Sequence, residues 1–300
     1  MKKLIKKIYM FLPEGFQMFI SRKYRYLSWS RRLKQDEQKN LELIKKEYQS
    51  GKLDAFKNEI EFETEHGFNM FPNRLSQKYP PKVKVYSDET GLPYVEHKGK
   101  KLYFPRKYSK DMVSWNYIQL LKEQDEYSAH RYWSDINRPD TEDIFIDVGA
   151  AEGMIALEEI DTVKKAYLFE PEEQWIEALE ATFSAYKDKV EIINKFCGDH
   201  NSADTVTLDT MFADTVDHLC LKMDIEGAEE DALRGAAEIL KRENIKYAVC
   251  VYHDYKHPEM FEELFRKNGI EYEFSEGYLL IPRTNPVFPY FNRGMIRGRK

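Results

Sequence analysis

The 300-residue sequence contains few cysteines, and their positions exclude two kinds of site. There are three, Cys197, Cys220 and Cys250, and no two of them form a C-x-x-C pair. An odd number without paired spacing is typical neither of a disulfide framework nor of a structural zinc site. We therefore predict that the three thiols are small core residues of a protein in a reducing compartment.

Long apolar runs are also missing. No uninterrupted stretch approaches the roughly 18–20 apolar residues that a membrane-spanning helix needs. The amino terminus, MKKLIKKIYMFLPEGFQMFI, is basic like a signal peptide, but Pro13, Glu14 and Gly15 interrupt its apolar part and no A-x-A cleavage site follows. We predict a cytoplasmic protein. Its first segment is either a basic amphipathic helix at the inner face of an anionic membrane or a solvated helix packed on its own domain.

Charge is distributed unevenly along the chain, whose net charge is −6. Residues 1–34 carry ten Lys or Arg and one acid, and residues 283–300 carry five Lys or Arg and no acid. The two ends are therefore +9 and +5, which leaves −20 for residues 35–282. Basic ends on an acidic body favour contacts between those ends and an anionic partner such as a membrane surface.

The sequence pattern divides the chain into three regions. Residues 1–135 are predicted as an α+β accessory region. Its predicted elements are a basic helix over 1–34, charged helices, a small β-meander at about 83–105 and a helix at about 110–125. Residues 136–282 alternate short apolar strands with amphipathic helices, and residues 283–300 are predicted as a basic carboxyl-terminal tail.

Regular alternation of strand and helix predicts an α/β fold, with a mainly parallel sheet covered by helices on both faces. The predicted strands are the apolar segments IFIDV, KAYLFE, VEIINKF, HLCLKMD and IKYAVCVYH. Two further segments, YEFSEG and YLLI, lie too close together for a helix to join them. We predict that these two form an antiparallel pair at one end of the sheet.

In open α/β sheets, ligands bind beyond the carboxyl ends of the strands. The loop after the first strand, DVGAAEG, has Gly149 but carries Ala151 and Met154 at the other two glycine positions of a dinucleotide loop, so it is a poor cradle for a pyrophosphate. Glu170, after the second strand, suits the two hydroxyls of a ribose, and Asp199, after the third, suits an adenine amino group. Ribose and adenine without a pyrophosphate indicate S-adenosylmethionine, whose cationic sulfonium suits an acidic site.

The motifs IDVGAAEG, LFEP, CGD, TLD, LKMDIEGAEEDALRGA and YH occur in this order within residues 143–282, roughly half of the chain. Together they resemble the FkbM-type S-adenosylmethionine-dependent methyltransferases, most specifically in KMDIEGAE followed by LRGA. The resemblance implies the seven-stranded, mainly parallel class I (Rossmann-like) methyltransferase sheet with an antiparallel last strand. It also implies O-methylation of a hydroxyl, often on a sugar of a glycan or of a natural product.

The resemblance further implies which residues bind the cofactor. Asp147, Gly149 and Gly153 would line its methionine and ribose part, Glu170 would bind the ribose, and Asp199 would bind the adenine. Two more residues of the same motifs complete the predicted cofactor-binding set, which is Asp147, Gly149, Ala151, Gly153, Glu170, Pro171 and Asp199.

Methyl transfer to an alcohol requires alignment of the reacting atoms and removal of the hydroxyl proton. His253, at a strand end, is the predicted base, because a histidine titrates near neutrality. Many family members carry Glu two positions before this histidine, where this chain has Val251. Asp224 and Glu226 are predicted to hold the acceptor hydroxyls or the sulfonium side. With His253 or Asp254 they could instead bind Mg²⁺, which we rank second because no dense ligand spacing such as H-x-x-x-H occurs.

Other charged residues near these positions have structural interpretations. Lys222 lies two residues before Asp224 on the same face of the strand, which predicts a buried ion pair with Asp224 or Asp209. The acids at 229–231 fall in the first turns of a helix, where carboxylates offset the positive end of the macrodipole. His130 precedes the first strand, where a surface salt bridge is its ordinary role.

Two functions of other classes stay open at this stage. A nicotinamide-dependent oxidoreductase would need the glycines that the first loop lacks. A non-catalytic adaptor would keep the fold while its basic ends dock on a membrane or on glycan-assembly machinery. Nucleic acid is not expected as a partner, since methyltransferases that modify base amino groups usually carry D/N-P-P-Y/F where this chain reads DIEG. The predicted acceptor is therefore a small molecule or a glycan.

Overall fold

The computed structural model describes residues 14–300, with side chains from residue 32 onward. The described chain divides into two compact units. One combines residues 14–72 with Leu280–Phe291, and the other combines Asn73–Leu279 with Asn292–Lys300. Residues 1–13 of the predicted amino-terminal basic helix lie outside the described residues. The predicted membrane contact of that segment therefore stays a prediction.

Helices dominate the first unit. They are α1 (Glu14–Gln49), a 3-10 helix at Asp54–Phe56 and α2 (Lys57–His66). They coincide with the region that the sequence predicts as charged helices. The segment Leu280–Phe291 is held to α1 by polar contacts, since the Asn40 side-chain amide donates to the Arg283 carbonyl at 2.7 Å. Phe56 also stacks on Phe291, with 4.7 Å between the ring centroids.

The second unit opens with a 3-10 helix at Arg74–Gln77 and a three-stranded antiparallel sheet at the position of the predicted meander. The strands are β1 (Tyr86–Ser87), β2 (Pro93–His97) and β3 (Lys100–Tyr103). Helix α3 (Lys110–Glu123) follows. Its amino end is capped by Ser109, whose hydroxyl accepts a hydrogen bond from the Met112 N–H.

A seven-stranded sheet forms the centre of this unit. Its strands are β4 (Asp143–Val148), β5 (Lys165–Phe169), β6 (Val190–Ile193), β9 (His218–Met223), β10 (Ile245–Cys250), β11 (Glu271–Phe274) and β14 (Met295–Arg299). The short strands outside it are β7 (Phe196–Cys197), β8 (Thr205–Val206), β12 (Leu279–Leu280) and β13 (Phe291–Asn292). The order across the sheet is β6-β5-β4-β9-β10-β14-β11, and only β14 runs antiparallel to its neighbours. The predicted α/β sheet with an antiparallel last strand is confirmed.

Helices cover both faces of the sheet. They are α4 (Met154–Glu159), α5 (Glu173–Thr182), α6 (Leu208–Phe212), α7 (Glu229–Arg234) and α8 (His257–Lys267), with 3-10 helices at Ser184–Tyr186 and Ile239–Lys241. On β4, Phe145 joins a buried cluster with α3, α4 and α5, while Ile144 and Ile146 join another with α6, α7 and α8. Burial on both faces explains the continuous apolar strands.

The helices and the core bear on two features of the sequence, its apolar segments and its cysteines. Within residues 14–300, no helix combines the length and the apolar character needed to cross a membrane. The three cysteines are free and buried, in agreement with their predicted role as core residues. Cys220 and Cys250 lie in β9 and β10, in the middle of the sheet.

The last strand of the sheet is not the one predicted. The segment YLLI contributes β12, whereas the antiparallel partner of β11 is β14, inside the segment predicted as a basic tail. The sheet therefore uses residues beyond 282, where the sequence interpretation ended it. Cross-strand charge pairing explains the difference, because Arg297 lies 3.3 Å from Glu273 and Arg299 lies 2.8 Å from Glu271. Two of the basic residues that suggested a tail, Arg297 and Arg299, are therefore paired within the sheet.

Candidate active site

The carboxyl ends of β4, β5 and β9 face a cavity of about 500 Å³. Its walls come from the loops after these strands, from the end of α3 and from the segment between α3 and β4. The predicted site residues that line it are Asp147, Gly149, Ala151, Glu170, Pro171, Asp224 and Glu226. Three predicted residues, Gly153, Asp199 and His253, lie outside its lining.

The two glycines of the loop after β4 have different structural roles. Gly149 has φ +82°, and a Cβ there would collide with the backbone oxygen of Asp224, so its lack of a side chain lets two loops close together. Gly153 precedes α4 with φ +76°, and a Cβ there would lie 2.8 Å from the Leu179 side chain. Ala151, at the middle glycine position, also has a positive φ, +47°. Gly149 therefore shapes the cavity, whereas Gly153 serves helix packing.

Glu170 follows β5 and is buried in the cavity wall. One carboxylate oxygen accepts from the Ala151 N–H at 2.9 Å, and the other accepts from the Glu172 N–H at 2.8 Å. Burial raises the pKa of this carboxyl, and the two backbone donors partly offset the rise. The two bonds fix the carboxylate between loops, and its remaining lone pairs can accept from the hydroxyls of a ribose.

Asp147 and Lys222 form a buried ion pair, with 2.8 Å between the carboxylate and the ammonium. Lys222 also donates to the Gly149 carbonyl at 2.6 Å. The predicted partners of Lys222, Asp224 and Asp209, are not the ones it pairs with. The register of the adjacent parallel strands β4 and β9 sets Asp147 opposite Lys222, and Asp209 instead accepts backbone N–H groups. The charge of Asp147 is therefore neutralised within the protein.

Asp224 follows β9 and contacts three side chains. Its Oδ2 accepts from the Tyr132 hydroxyl at 2.7 Å and lies 3.4 Å from His130 Nε2, while its Oδ1 lies 3.6 Å from His253 Nε2. Burial acts to raise the pKa of Asp224, but the contacts with His130 and the charges of Lys222 and His253 hold it well below its ordinary value. Asp224 therefore stays ionised and orients two histidines.

Glu229 fixes the position of His253. Nδ1 of the imidazole lies 2.8 Å from Glu229 Oε1, which also accepts from the Ile225 N–H at 2.9 Å. Glu229 lies in the first turn of α7, as predicted, but it is 0% exposed and also contacts the imidazole, a role that the sequence did not indicate. Nε2 lies 3.6 Å from the carboxylates of Asp224 and Glu226. Burial lowers the pKa of His253, but Glu229 and Asp224 outweigh it and leave the pKa above its ordinary value.

Two predicted residues have exposed carboxylates. Glu226 lies at the cavity, with a side chain 92% exposed and a strained φ of +56°. Asp199 lies outside the cavity, 2.8 Å from His200 Nδ1. The sequence interpretation treats CGD as the end of the third strand, but β6 already ends at Ile193 and the chain continues into β7. Phe196 of β7 therefore lines the cavity, and Asp199 does not.

Two groups of side chains bring atoms that could ligate a metal within 4.8 Å of one another in the described part of the chain. They are His130, Asp224 and Cys250, and Asp224, Glu229 and His253. Asp254, which the sequence suggested as a ligand, belongs to neither group. The contacts of Asp224 and Glu229 with hydroxyl, backbone and imidazole groups already account for these side chains, so we assign no metal.

Several cavity residues were not assigned a role from the sequence. They are Glu123, Gln124, Tyr132, Glu152, Trp175 and Tyr252. His130 also lines the cavity, in a role other than the one predicted. His130 is 1% exposed, so the surface salt bridge expected for it is wrong. The aromatic run HRYW before β4 was the available signal, but no regular period accompanies it. Glu152 lies inside the IDVGAAEG motif, yet nothing in the sequence indicates that a glutamate beside a loop glycine is buried.

The strand order, the antiparallel β14 and a cavity at the carboxyl ends of β4, β5 and β9 define a class I methyltransferase fold. Residues 180–275, about a third of the chain, match the model of the methyltransferase FkbM domain. The resemblance to FkbM-type methyltransferases is confirmed. Family and fold support a methyltransferase function, and the family implies S-adenosylmethionine as the methyl donor; the comparisons do not support Mg²⁺.

Comparison with curated proteins finds no match. Among solved structures, the chain is similar to methyltransferase FkbM from Methylobacillus flagellatus KT, at 17% identity over 60% of this chain and 54% of that chain, with a TM-score of 0.43. It is also similar to the METTL16 MTase domain, at 12% identity, with 79% of this chain and 94% of that chain covered and a TM-score of 0.42. A third similar structure is that of a Streptococcus mutans protein in complex with SAH. The identity is 16%, the match covers 57% of this chain and 95% of that chain, and the TM-score is 0.36. The chain spans about half the length of the Methylobacillus protein. Since all three TM-scores are below 0.5, the fold class rests on the strand order.

Proposed function

We propose that the protein is an S-adenosylmethionine-dependent O-methyltransferase that methylates a sugar hydroxyl of a glycan or glycosylated metabolite. One observation carries the choice of cofactor, namely the charge of the cavity. Two lysines, Lys195 and Lys222, face seven carboxylates, Glu123, Asp147, Glu152, Glu170, Glu172, Asp224 and Glu226. An acidic cavity attracts a sulfonium and repels a pyrophosphate, which disfavours the nicotinamide alternative.

The residues present fit the cofactor. Bound S-adenosylmethionine supplies a methyl group on a cationic sulfur. The carboxylate of Glu170, held by two backbone N–H groups, can accept from both ribose hydroxyls. Trp175 and Phe196 contribute apolar surface to the cavity, and the absence of a side chain at Gly149 allows the loops after β4 and β9 to approach each other. The adaptor alternative does not require this arrangement.

The acceptor hydroxyl must lose its proton as its oxygen forms the new bond to the methyl carbon and the carbon–sulfur bond breaks, with its electron pair left on sulfur. We assign the proton to Nε2 of His253. The carboxylate of Glu229, 2.8 Å from Nδ1, favours the tautomer that carries its proton on Nδ1, in which Nε2 is the basic nitrogen. Asp224 and Glu226, each 3.6 Å from Nε2, stabilise the imidazolium that forms and can hold the acceptor.

Titration calorimetry with S-adenosylmethionine and with NAD tests the cofactor. The unmodified protein should bind S-adenosylmethionine and not NAD. Glu170→Ala should weaken S-adenosylmethionine about 10-fold to 100-fold, because a hydrogen bond to a charged group contributes about 1.5–3 kcal/mol. Glu173→Ala, which removes an exposed carboxylate in the first turn of α5, is the control and should bind normally. Tight binding of NAD without S-adenosylmethionine would sink the proposal.

His253→Ala should leave the affinity for S-adenosylmethionine unchanged and reduce turnover about 100-fold or more, since general base catalysis contributes typically 10²–10⁴-fold. Turnover is measured as formation of S-adenosylhomocysteine with glycan extracts as acceptors. His218→Ala is the matched control, because His218 begins β9 at the opposite end of the sheet. Full turnover by His253→Ala would remove the base role. Binding without turnover by the unmodified protein on any extract would favour the adaptor.

A further inference from the structure

Two carboxyl groups in the cavity have no part in the steps above. Glu123 ends α3, and Glu152 lies in the loop between β4 and α4. Both line the cavity. Within the described residues, neither side chain forms an ion pair or a hydrogen bond with another residue. They differ in this from the other acids of the inner cavity, since Asp147 is paired with Lys222, and Asp224 and Glu170 accept hydrogen bonds.

Glu152 is the more unusual of the two because it is only 7% exposed. A buried carboxylate is costly unless a cation or several donors compensate it. The charged groups around it are Glu123 from α3, Asp147 from β4 and Lys222 from β9, and the hydroxyl of Tyr108 faces it from the loop before α3. Lys222 is the one cation among these and is already bound to Asp147 at 2.8 Å. Among the side chains described from residue 32 onward, Lys222 is thus the cation that acts on Glu152, and its charge is taken up by Asp147.

The chemistry of this pair defines the ligand group that would fit. Two carboxylates offer acceptors only, so the complementary group must carry several N–H donors and positive charge. A primary ammonium has three donors in a compact volume and meets both requirements. A hydroxyl offers one donor and no charge, and a phosphate or carboxylate would be repelled.

We propose that Glu152, supported by Glu123, binds a primary ammonium group of the ligand in this cavity. The proposal rests on the proposed use of S-adenosylmethionine and extends it, because Asp147 is neutralised by Lys222 and cannot serve this purpose. Two sources carry such a group, the amino-acid end of the cofactor and an amine-bearing acceptor sugar. The charge requirement is the same for both, and binding measurements separate them.

The first arm compares S-adenosylhomocysteine, which has the ammonium but no sulfonium, with 5′-methylthioadenosine, which lacks the amino-acid end. Glu152→Gln should weaken S-adenosylhomocysteine about 10-fold to 100-fold and leave 5′-methylthioadenosine unchanged, because only the first ligand has the ammonium. Glu123→Gln should have a smaller effect of the same kind. Glu159→Gln removes a half-buried carboxyl of α4 outside the cavity and should change neither affinity.

The pH dependence gives a readout that a merely structural role would not produce. Burial raises the pKa of Glu152 to about 8. The carboxyl must lose its proton and the ligand's amine must keep its own, so affinity for S-adenosylhomocysteine should be highest near pH 8. It should fall by up to about tenfold per unit as the pH drops towards 6. Glu152→Gln should remove most of this dependence, and Glu159→Gln should retain it.

The second arm measures binding of glucosamine, with N-acetylglucosamine as its uncharged match, to protein saturated with S-adenosylhomocysteine. A preference for glucosamine that Glu152→Gln abolishes assigns the ammonium to the acceptor. Unchanged affinities for all four ligands in Glu152→Gln would overturn the proposal while leaving the cofactor assignment intact. Failure of the unmodified protein to bind either nucleoside would overturn the proposed function, and this proposal with it.

Discussion

Replacing Lys222 by methionine should destabilise the protein by about 3–5 kcal/mol, the usual cost of leaving a buried charge without its partner. Asp147 is 1% exposed, and the ammonium of Lys222, 2.8 Å away, is its counter-ion. The Gly149 carbonyl would also lose the donor that now bonds it at 2.6 Å. Urea unfolding followed by circular dichroism measures the loss, and the cofactor affinity should fall with it because Gly149 shapes the cavity.

A double variant and a pH series show whether the unpaired charge is the cause. Asp147→Leu combined with Lys222→Met should recover about 2 kcal/mol or more, since a buried pair replaced by apolar residues of similar volume is often neutral. In Lys222→Met alone, burial raises the pKa of Asp147 without opposition, so protonation at low pH relieves the destabilisation. The deficit should therefore shrink as the pH falls. Equal losses for the single and double variants would contradict this account.

Gly149→Ala should cost roughly 2–5 kcal/mol, the sum of a left-handed backbone penalty and of overpacking. At Gly149, φ is +82°, and the added Cβ would meet the Asp224 backbone oxygen and lie 2.9 Å from Ile225 Cγ2. The loops after β4 and β9 would have to separate, which displaces the Asp224 carboxylate. We expect loss of measurable S-adenosylmethionine binding by calorimetry together with a lower unfolding midpoint.

Gly99 offers a matched control for this substitution. It lies in the two-residue turn between β2 and β3, has φ +80°, and has open space where a Cβ would stand. Gly99→Ala should therefore cost only the backbone term, roughly 1–2 kcal/mol, and leave cofactor affinity unchanged. The difference between the two variants isolates the collision at the site. If both variants lose the same free energy of unfolding and both bind S-adenosylmethionine, the close approach of Gly149 to the Asp224 backbone does not matter for function.

Features with a local cause could be predicted from the sequence. The parallel strands are continuous apolar segments because both faces of the sheet are covered, so their pattern needs no knowledge of the partner strands. The loop after β4 and the acid after β5 follow from the rule that sites lie at the carboxyl ends of strands. Asp147, Gly149, Glu170 and Asp224 line the cavity for this reason.

Features that depend on distant contacts could not be predicted in this way. Asp199 was predicted at the end of the third strand, but it does not lie there. The end of β6 depends on its pairing with β5, and the last paired residue of β6 is Ile193. Strand β14 was not predicted because arginines in a segment without acids are typical of a solvated tail. Their partners, Glu271 and Glu273, are brought beside them only by folding. Glu229 resembles its neighbours at 230 and 231, and only its burial against His253 separates it from them.

The sequence by itself determined the α/β sheet, the resemblance to FkbM-type methyltransferases and the acidic character of the strand ends, because these depend on local periodicity and short motifs. Only the tertiary structure decided which acid does what. Register pairs Asp147 with Lys222, and the turn after β9 directs Asp224 towards two histidines. Folding also buries Glu152 in the cavity wall, where Lys222, the cation that acts on it among the described side chains, is bound to Asp147. Charge is readable from sequence, but its neutralisation depends on which groups folding brings within a few ångströms.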